Sequence, residues 1–110
     1  MNAIDALFRG MCEAKASDLH LSSGMPPLLR KDGSMQKLDP NGAVLDNDAI
    51  AGLVQPIMPE KNRNEFRDRR DTDFAYEIPG LARFRANVFM DRKGCGAVFR
   101  VIPSNILTAE

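Results

Sequence analysis

Tryptophan is absent from the 110 residues, and the chain has one histidine, one tyrosine and two cysteines. Cys12 and Cys95 lie 83 positions apart with no CxxC pair beside either, so neither a disulfide framework nor a zinc site is supported. They read as reduced thiols, with Cys12 half inside a core face. Net charge is missing too: fifteen Lys and Arg balance fifteen Asp and Glu, which excludes whole-molecule attraction to nucleic acid or an anionic membrane. No apolar run approaches the roughly 20 residues of a membrane helix. The start, MNAIDALFRG, lacks the basic n-region and long apolar h-region of a signal peptide. The chain therefore reads as cytoplasmic. Also missing are GxxxxGK(S/T), GxSxG, HExxH and an EF-hand loop, so the sequence names no catalytic residue and no metal ligand set.

What remains is the composition of one soluble domain with a single core, 44% hydrophobic and 27% charged. Its charge is unevenly placed. Eight of the ten arginines fall between Arg63 and Arg100, and a binding surface is to be sought there.

Ile4, Leu7, Phe8 and Met11 recur at spacings of three and four, which predicts an amphipathic helix over 2–15. Ser17 to Ser23 alternates with period two, so Leu19 and Leu21 share one strand face and Asp18 and His20 the other. Gly24, Pro26 and Pro27 interrupt. Leu28 to Arg30 resumes an extended segment, and Asp32-Gly33 before Ser34 to Leu38 is a two-residue hairpin signature. Asp46 is placed to cap a helix carrying Ile50, Leu53, Val54, Ile57 and Met58 inward. Pro56 removes a helical donor, so that helix bends or ends there. Pro59 suits a first helical position, and Glu60 to Arg70 reads as a very polar helix anchored by Phe66 alone. From Asp73 the period returns to two: Phe74, Tyr76 and Ile78, a Pro79-Gly80 turn, then Phe84, Ala86 and Val88 against Arg83, Arg85 and Asn87. Ala97 to Ile102 is a last strand that Pro103 ends. This order, helix, three strands, two helices, three strands, describes an α+β domain on an antiparallel sheet of about six strands with about three helices.

Gly94-Cys95-Gly96 is a bare GxG before a strand, where a dinucleotide fingerprint needs a helix, and it reads as a hairpin turn. Asp18 and His20, two apart on one strand face, form a solvated or interface pair more readily than an acid–base couple. The arginines say more. Arg83 and Arg85 project from one face of a strand and Arg100 lies on the next, so hairpin pairing brings their guanidinium groups toward one patch. Such planar, permanently charged forks match phosphate or carboxylate bidentately. The alternative is a solvated face with ion pairs to Asp71, Asp73, Glu77 or Asp91, and pattern alone leaves both open. The helix from Lys61 to Arg70 equally reads as a solvated face, its five basic residues interspersed with Glu60, Glu65 and Asp68.

Three strings have a more specific likeness. ASDLHLSSGMPP at 16–27, TDFAYEIPGLARFRANVF at 72–89 and GCGAVFRVIP at 94–103 together resemble the N-terminal domain of PilT-type retraction ATPases of the bacterial type IV pilus, a branch of the secretion ATPase superfamily. The likeness to PilU-type, extension and type II secretion ATPases is looser. The resemblance implies a PAS-like domain over 1–103, with 104–110 the start of a linker to a RecA-like ATPase domain whose Walker motifs are absent here.

It further implies a homo-hexameric ring in which this domain packs on the RecA-like domain of the adjacent subunit. Arg85 and Arg100, with Arg83 weaker, would then reach the nucleotide's phosphates. Asp18 and His20 belong to the family string, with a role confined to sheet structure or the interdomain interface. The parent protein would hydrolyse ATP with magnesium to power pilus retraction and twitching motility, on the cytoplasmic side of the inner membrane pilus machinery. The fragment alone would have no cofactor, no activity and no nucleic-acid partner. Two rivals stand beside this reading: a free-standing PAS-like sensory module that binds a small ligand, and an RRM-like sheet using Arg83, Arg85, Phe89 and Arg100 on RNA. A neutral chain whose phenylalanines are needed for its core argues against the second.

Overall fold

A computed structural model describes residues 2–102; Pro103 as strand end and 104–110 as linker lie outside the described residues. Helix α1 spans Asp5–Glu13 and is followed by strands β1 (Asp18–Ser22), β2 (Leu28–Lys31) and β3 (Ser34–Lys37). Then come α2 (Asn47–Val54), a 3₁₀ turn over Gln55–Ile57 and α3 (Glu60–Arg69), before β4 (Asp71–Ile78), β5 (Ala82–Asp91) and β6 (Gly94–Ile102). The six strands form one antiparallel sheet in the order β3-β2-β1-β6-β5-β4. The α+β class and the strand count are those expected. No helix among the described residues is long and apolar enough to cross a membrane.

The helices lie against one face of the sheet, and period-two alternation decides which residues meet them. Leu19, Leu21, Leu29, Phe84, Ala86, Val88, Ala97 and Phe99 point inward with Ile4, Phe8, Met11, Ile50 and Val54, all buried. Phe8 ties α1 to this face, its ring stacked on Phe84 at 4.2 Å and edge-on to Phe99 at 5.0 Å. Asp5, in the first turn of α1, accepts the Tyr76 hydroxyl at 2.7 Å. α3 is tethered differently, because buried Asn62 donates to the Thr72 hydroxyl and to the Asp73 carbonyl, each at 2.8 Å. Phe66 is thus one of two anchors.

Local residues set most of the turns. Asp32 (φ 53°) and Gly33 (φ 81°) form the β2–β3 hairpin with both residues left-handed. Asp46 caps α2, accepting the Ala49 amide at 2.8 Å. α2 ends at Val54 as Pro56 requires, and the chain tightens into the 3₁₀ turn.

Two expectations change. Pro59 is the N-cap of α3, with extended backbone (ψ 155°), and Glu60 is its first residue. Gly94-Cys95-Gly96 is strand: the turn is Arg92-Lys93, and β6 pairs with β5 from Asp91↔Gly94 onward. The glycine at 96 answers a packing demand, since a Cβ there would stand 2.7 Å from the Phe89 ring and 3.2 Å from the Leu21 carbonyl.

Candidate phosphate-binding face

The face opposite the helices carries the polar residues of the central strands, and register aligns them in rows. One row reads Arg30 (β2), Asp18 (β1), Arg100 (β6), Arg85 (β5), each directly opposite the next. The adjacent row reads Leu28, His20, Val98, Asn87, Asp73. Where the rows meet, Asp18, Asp73, Arg85, Asn87, Val98 and Arg100 line an open cleft of about 250 Å³.

The geometry brings two of the three expected arginines together. Arg85 and Arg100 are cross-strand partners, a placement that ordinary sheet energetics disfavours because like charges directly opposite repel. Arg83 sits one row on, opposite Glu77 and Ile102, and lines a separate hollow by the β4–β5 turn. Among the described residues no carboxylate lies within 4.0 Å of Arg83 or Arg85, so these two make none of the ion pairs to Asp71, Asp73, Glu77 or Asp91 that the alternative reading offered. Asp73 instead accepts from the Asn87 amide at 3.1 Å. On α3, Arg67 pairs with Asp68 in an exposed contact and Arg69 reaches half-buried Glu65 at 4.0 Å, both of little worth.

Of the readings open for Asp18, solvated, interface or sheet structure, burial removes the solvated one. Asp18 is only 5% exposed, and its Oδ2 accepts from Arg100 Nη2 at 3.4 Å. Sequence spacing cannot show this, because β1 and β6 are brought side by side by the strand order alone. His20 lies one row away, and its Nε2 is buried without a hydrogen-bond partner; it makes no contact with Asp18 or the arginines that would define an acid–base couple. Asp73 and Asn87 as cleft residues were missed, although alternation from Phe74 and Ala86 places both on the open face.

Among the described residues no three His, Cys, Asp or Glu side chains converge for a metal. Neither thiol is poised to react: burial and the nearby Asp91 charge push Cys95 up to about 11, and burial raises Cys12 above its ordinary value.

A two-layer domain with an open arginine-bearing sheet face has clear relatives, although no family model matches the chain. It is 47% identical over 95 residues to the type IV pilus retraction ATPase PilT of Pseudomonas aeruginosa, a match covering 86% of this chain and 27% of that protein. It is 31% identical over 106 residues to the type IV pilus ATPase PilU of the same organism, covering 96% of the chain and 27% of the relative. A crystal structure of the pilus retraction motor PilT with bound ADP superposes with a TM-score of 0.84 at 32% identity, covering 97% of this chain and 31% of that one. These relatives define the class, a domain of the ATPases that drive bacterial type IV pili. Within that class the chain belongs to the PilT type and is its N-terminal domain. It spans about a quarter of the length of the curated relatives it matches.

Proposed function

We propose that this domain packs on the RecA-like motor domain of a neighbouring subunit in a hexameric ring and presents Arg85 and Arg100 to the phosphates of the nucleotide held there. The observation that supports this most is the direct opposition of the two arginines across β5 and β6 in an open cleft. Arg85 has no carboxylate within 4.0 Å among the described residues, and Arg100 has one loose contact to Asp18 at 3.4 Å, so the two guanidinium groups retain capacity for an added anion. A triphosphate supplies that charge, and a phosphoryl oxygen that gains negative charge during transfer is held more tightly than its ground state. Arg83, a row away and facing Glu77, contributes less.

In this reading residues 1–103 are a PAS-like domain and 104–110 begin the linker to the motor domain, which brings the phosphate loop and the magnesium ligands. The domain by itself does not turn over ATP. The parent is a pilus retraction ATPase that works in the cytoplasm against the pilus machinery at the inner membrane, with no nucleic-acid partner. The arginines couple occupancy to movement, because a nucleotide favours a closed arrangement of two domains only through contacts it makes with both.

The test is ATP turnover by the motor protein carrying Arg85→Ala or Arg100→Ala. Loss of one preorganised cation at the phosphates lowers kcat by about a hundredfold or more, while each variant domain stays folded. Wild-type turnover in both variants removes the assignment. A GxxxxGK(S/T) roughly 20–40 residues beyond Glu110 in the source gene is the companion expectation.

A further inference from the structure

We infer that Asp18 is a positioning residue for Arg100: a fixed carboxylate that parks the guanidinium beside the cleft and releases it only to an anion charged strongly enough to compete. The inference rests on the phosphate role proposed for Arg85 and Arg100. It adds a residue and a selectivity that this role does not require.

Asymmetry within the pair is the first support. Asp18 is buried, whereas the Arg100 side chain is 71% exposed, so one partner is held by the sheet and the other is free to swing. The contact is also a loose one. A single Nη2 to Oδ2 approach at 3.4 Å is well beyond the roughly 2.7–2.9 Å of a strong charge-assisted bond, and no bidentate fork forms. Arg85 is opposite Arg100 on its other side and biases the guanidinium toward Asp18 by repulsion. Arg30 stands opposite Asp18 on β2; Arg100 holds the ion pair in this arrangement, and the exposed Arg30 side chain is the cation that turns to the buried carboxylate when Arg100 leaves. An uncompensated buried charge would otherwise block the exchange.

An arriving anion must therefore displace a carboxylate before it gains Arg100. A triphosphate, with several charges, does this better than a single phosphate, and the cleft becomes selective for polyphosphate through a competitor built into the sheet. The sign of the effect separates this role from a merely structural one. Removing Asp18's charge strengthens anion binding if the carboxylate competes, and weakens or spares it if Asp18 only supports β1.

Sodium tripolyphosphate is the probe, titrated into this 110-residue chain with the Arg85 and Arg100 side-chain Nε–Hε resonances as reporters. In Asp18→Asn the dissociation constant is expected to fall by about threefold to tenfold at low salt, the scale of one removed charge several ångströms from the site, and the gain shrinks as salt rises. The preference over orthophosphate should narrow in the same variant. Arg100→Gln should weaken binding in either background, and the double variant should match Arg100→Gln alone. Asp18→Ser is the second variant, expected to show the same sign if the asparagine protein folds poorly. If Arg100→Gln weakens binding while both Asp18 variants leave it unchanged or weaker, the positioning role is overturned and the phosphate reading stands. If Arg100→Gln binds as the wild type does, or no form binds, the phosphate reading fails and the role of Asp18 fails with it.

Discussion

Replacing Arg85 by glutamine should make the domain more stable. Arg85 and Arg100 are direct cross-strand partners, and no carboxylate among the described residues lies within 4.0 Å of Arg85 to offset their repulsion. Two unit charges about 7 Å apart repel by about 0.6 kcal/mol in water, within the roughly 0.2–1 kcal/mol range of cross-strand pair effects. For a domain near 100 residues a gain of that size raises Tm by about 2–5 °C. Arg100→Gln removes the same repulsion but takes away the ion-pair partner of buried Asp18 and leaves it only the exposed Arg30 across β2, so its net effect is near zero or destabilising. Calorimetric melts of the three proteins at about 0.01 M and about 1 M salt provide the assay, because the Debye length falls from about 30 Å to about 3 Å over that range and the Arg85→Gln gain should vanish. A lowered Tm for Arg85→Gln, or a gain that persists at high salt, would refute the claim that the paired arginines are held together against their own repulsion.

Thr72→Val strips the Asn62 amide and the Glu65 carboxylate of their shared hydroxyl; urea unfolding should show a loss of about 1–3 kcal/mol, with α3 amides exchanging faster than those of β5. Gly96→Ala drives a methyl group into the Phe89 ring and the Leu21 carbonyl and should cost about 1–3 kcal/mol, part of which Phe89→Leu restores in a double-mutant cycle. Cys95 should resist thiol reagents at neutral pH until the domain unfolds. Its pKa rises from 9.0 to about 11 on folding, so the native state keeps a proton that the unfolded chain loses. Stability is therefore intact below about pH 9 and falls as pH rises toward 11. Cys95→Ala should flatten that slope of the urea midpoint.

Most of the fold was legible because its signals are local. The α1 stripe, the Asp32-Gly33 turn, the Asp46 cap, the Pro56 break and the alternation through Phe84 to Val88 each depend on a few neighbouring residues. What the sequence concealed depends on strand order. The pairing of β1 with β6 joins residues 82 positions apart, and it alone explains why Asp18 is buried against Arg100. Gly94-Cys95-Gly96 looked like a turn because glycine marks turns. Here the glycine at 96 makes room for the Phe89 ring, a demand that no local pattern expresses. Asn62 likewise read as surface on a polar helix, since its partners Thr72 and Asp73 lie on another element. The arginine pair was half legible: alternation put both on one face, and only register placed them opposite each other.

The central claim, that these arginines serve a nucleotide held by a neighbouring subunit, is tested most directly by mixing two inactive motor proteins. One carries Arg85→Ala and Arg100→Ala, and the other carries a substitution of its own phosphate-loop lysine. If the arginines act across the subunit boundary, mixed rings contain sites that pair an intact phosphate loop with intact arginines, and ATP turnover reappears in proportion to those sites. Turnover that stays at the level of the separate variants, once mixed rings are confirmed by mass, would contradict the account.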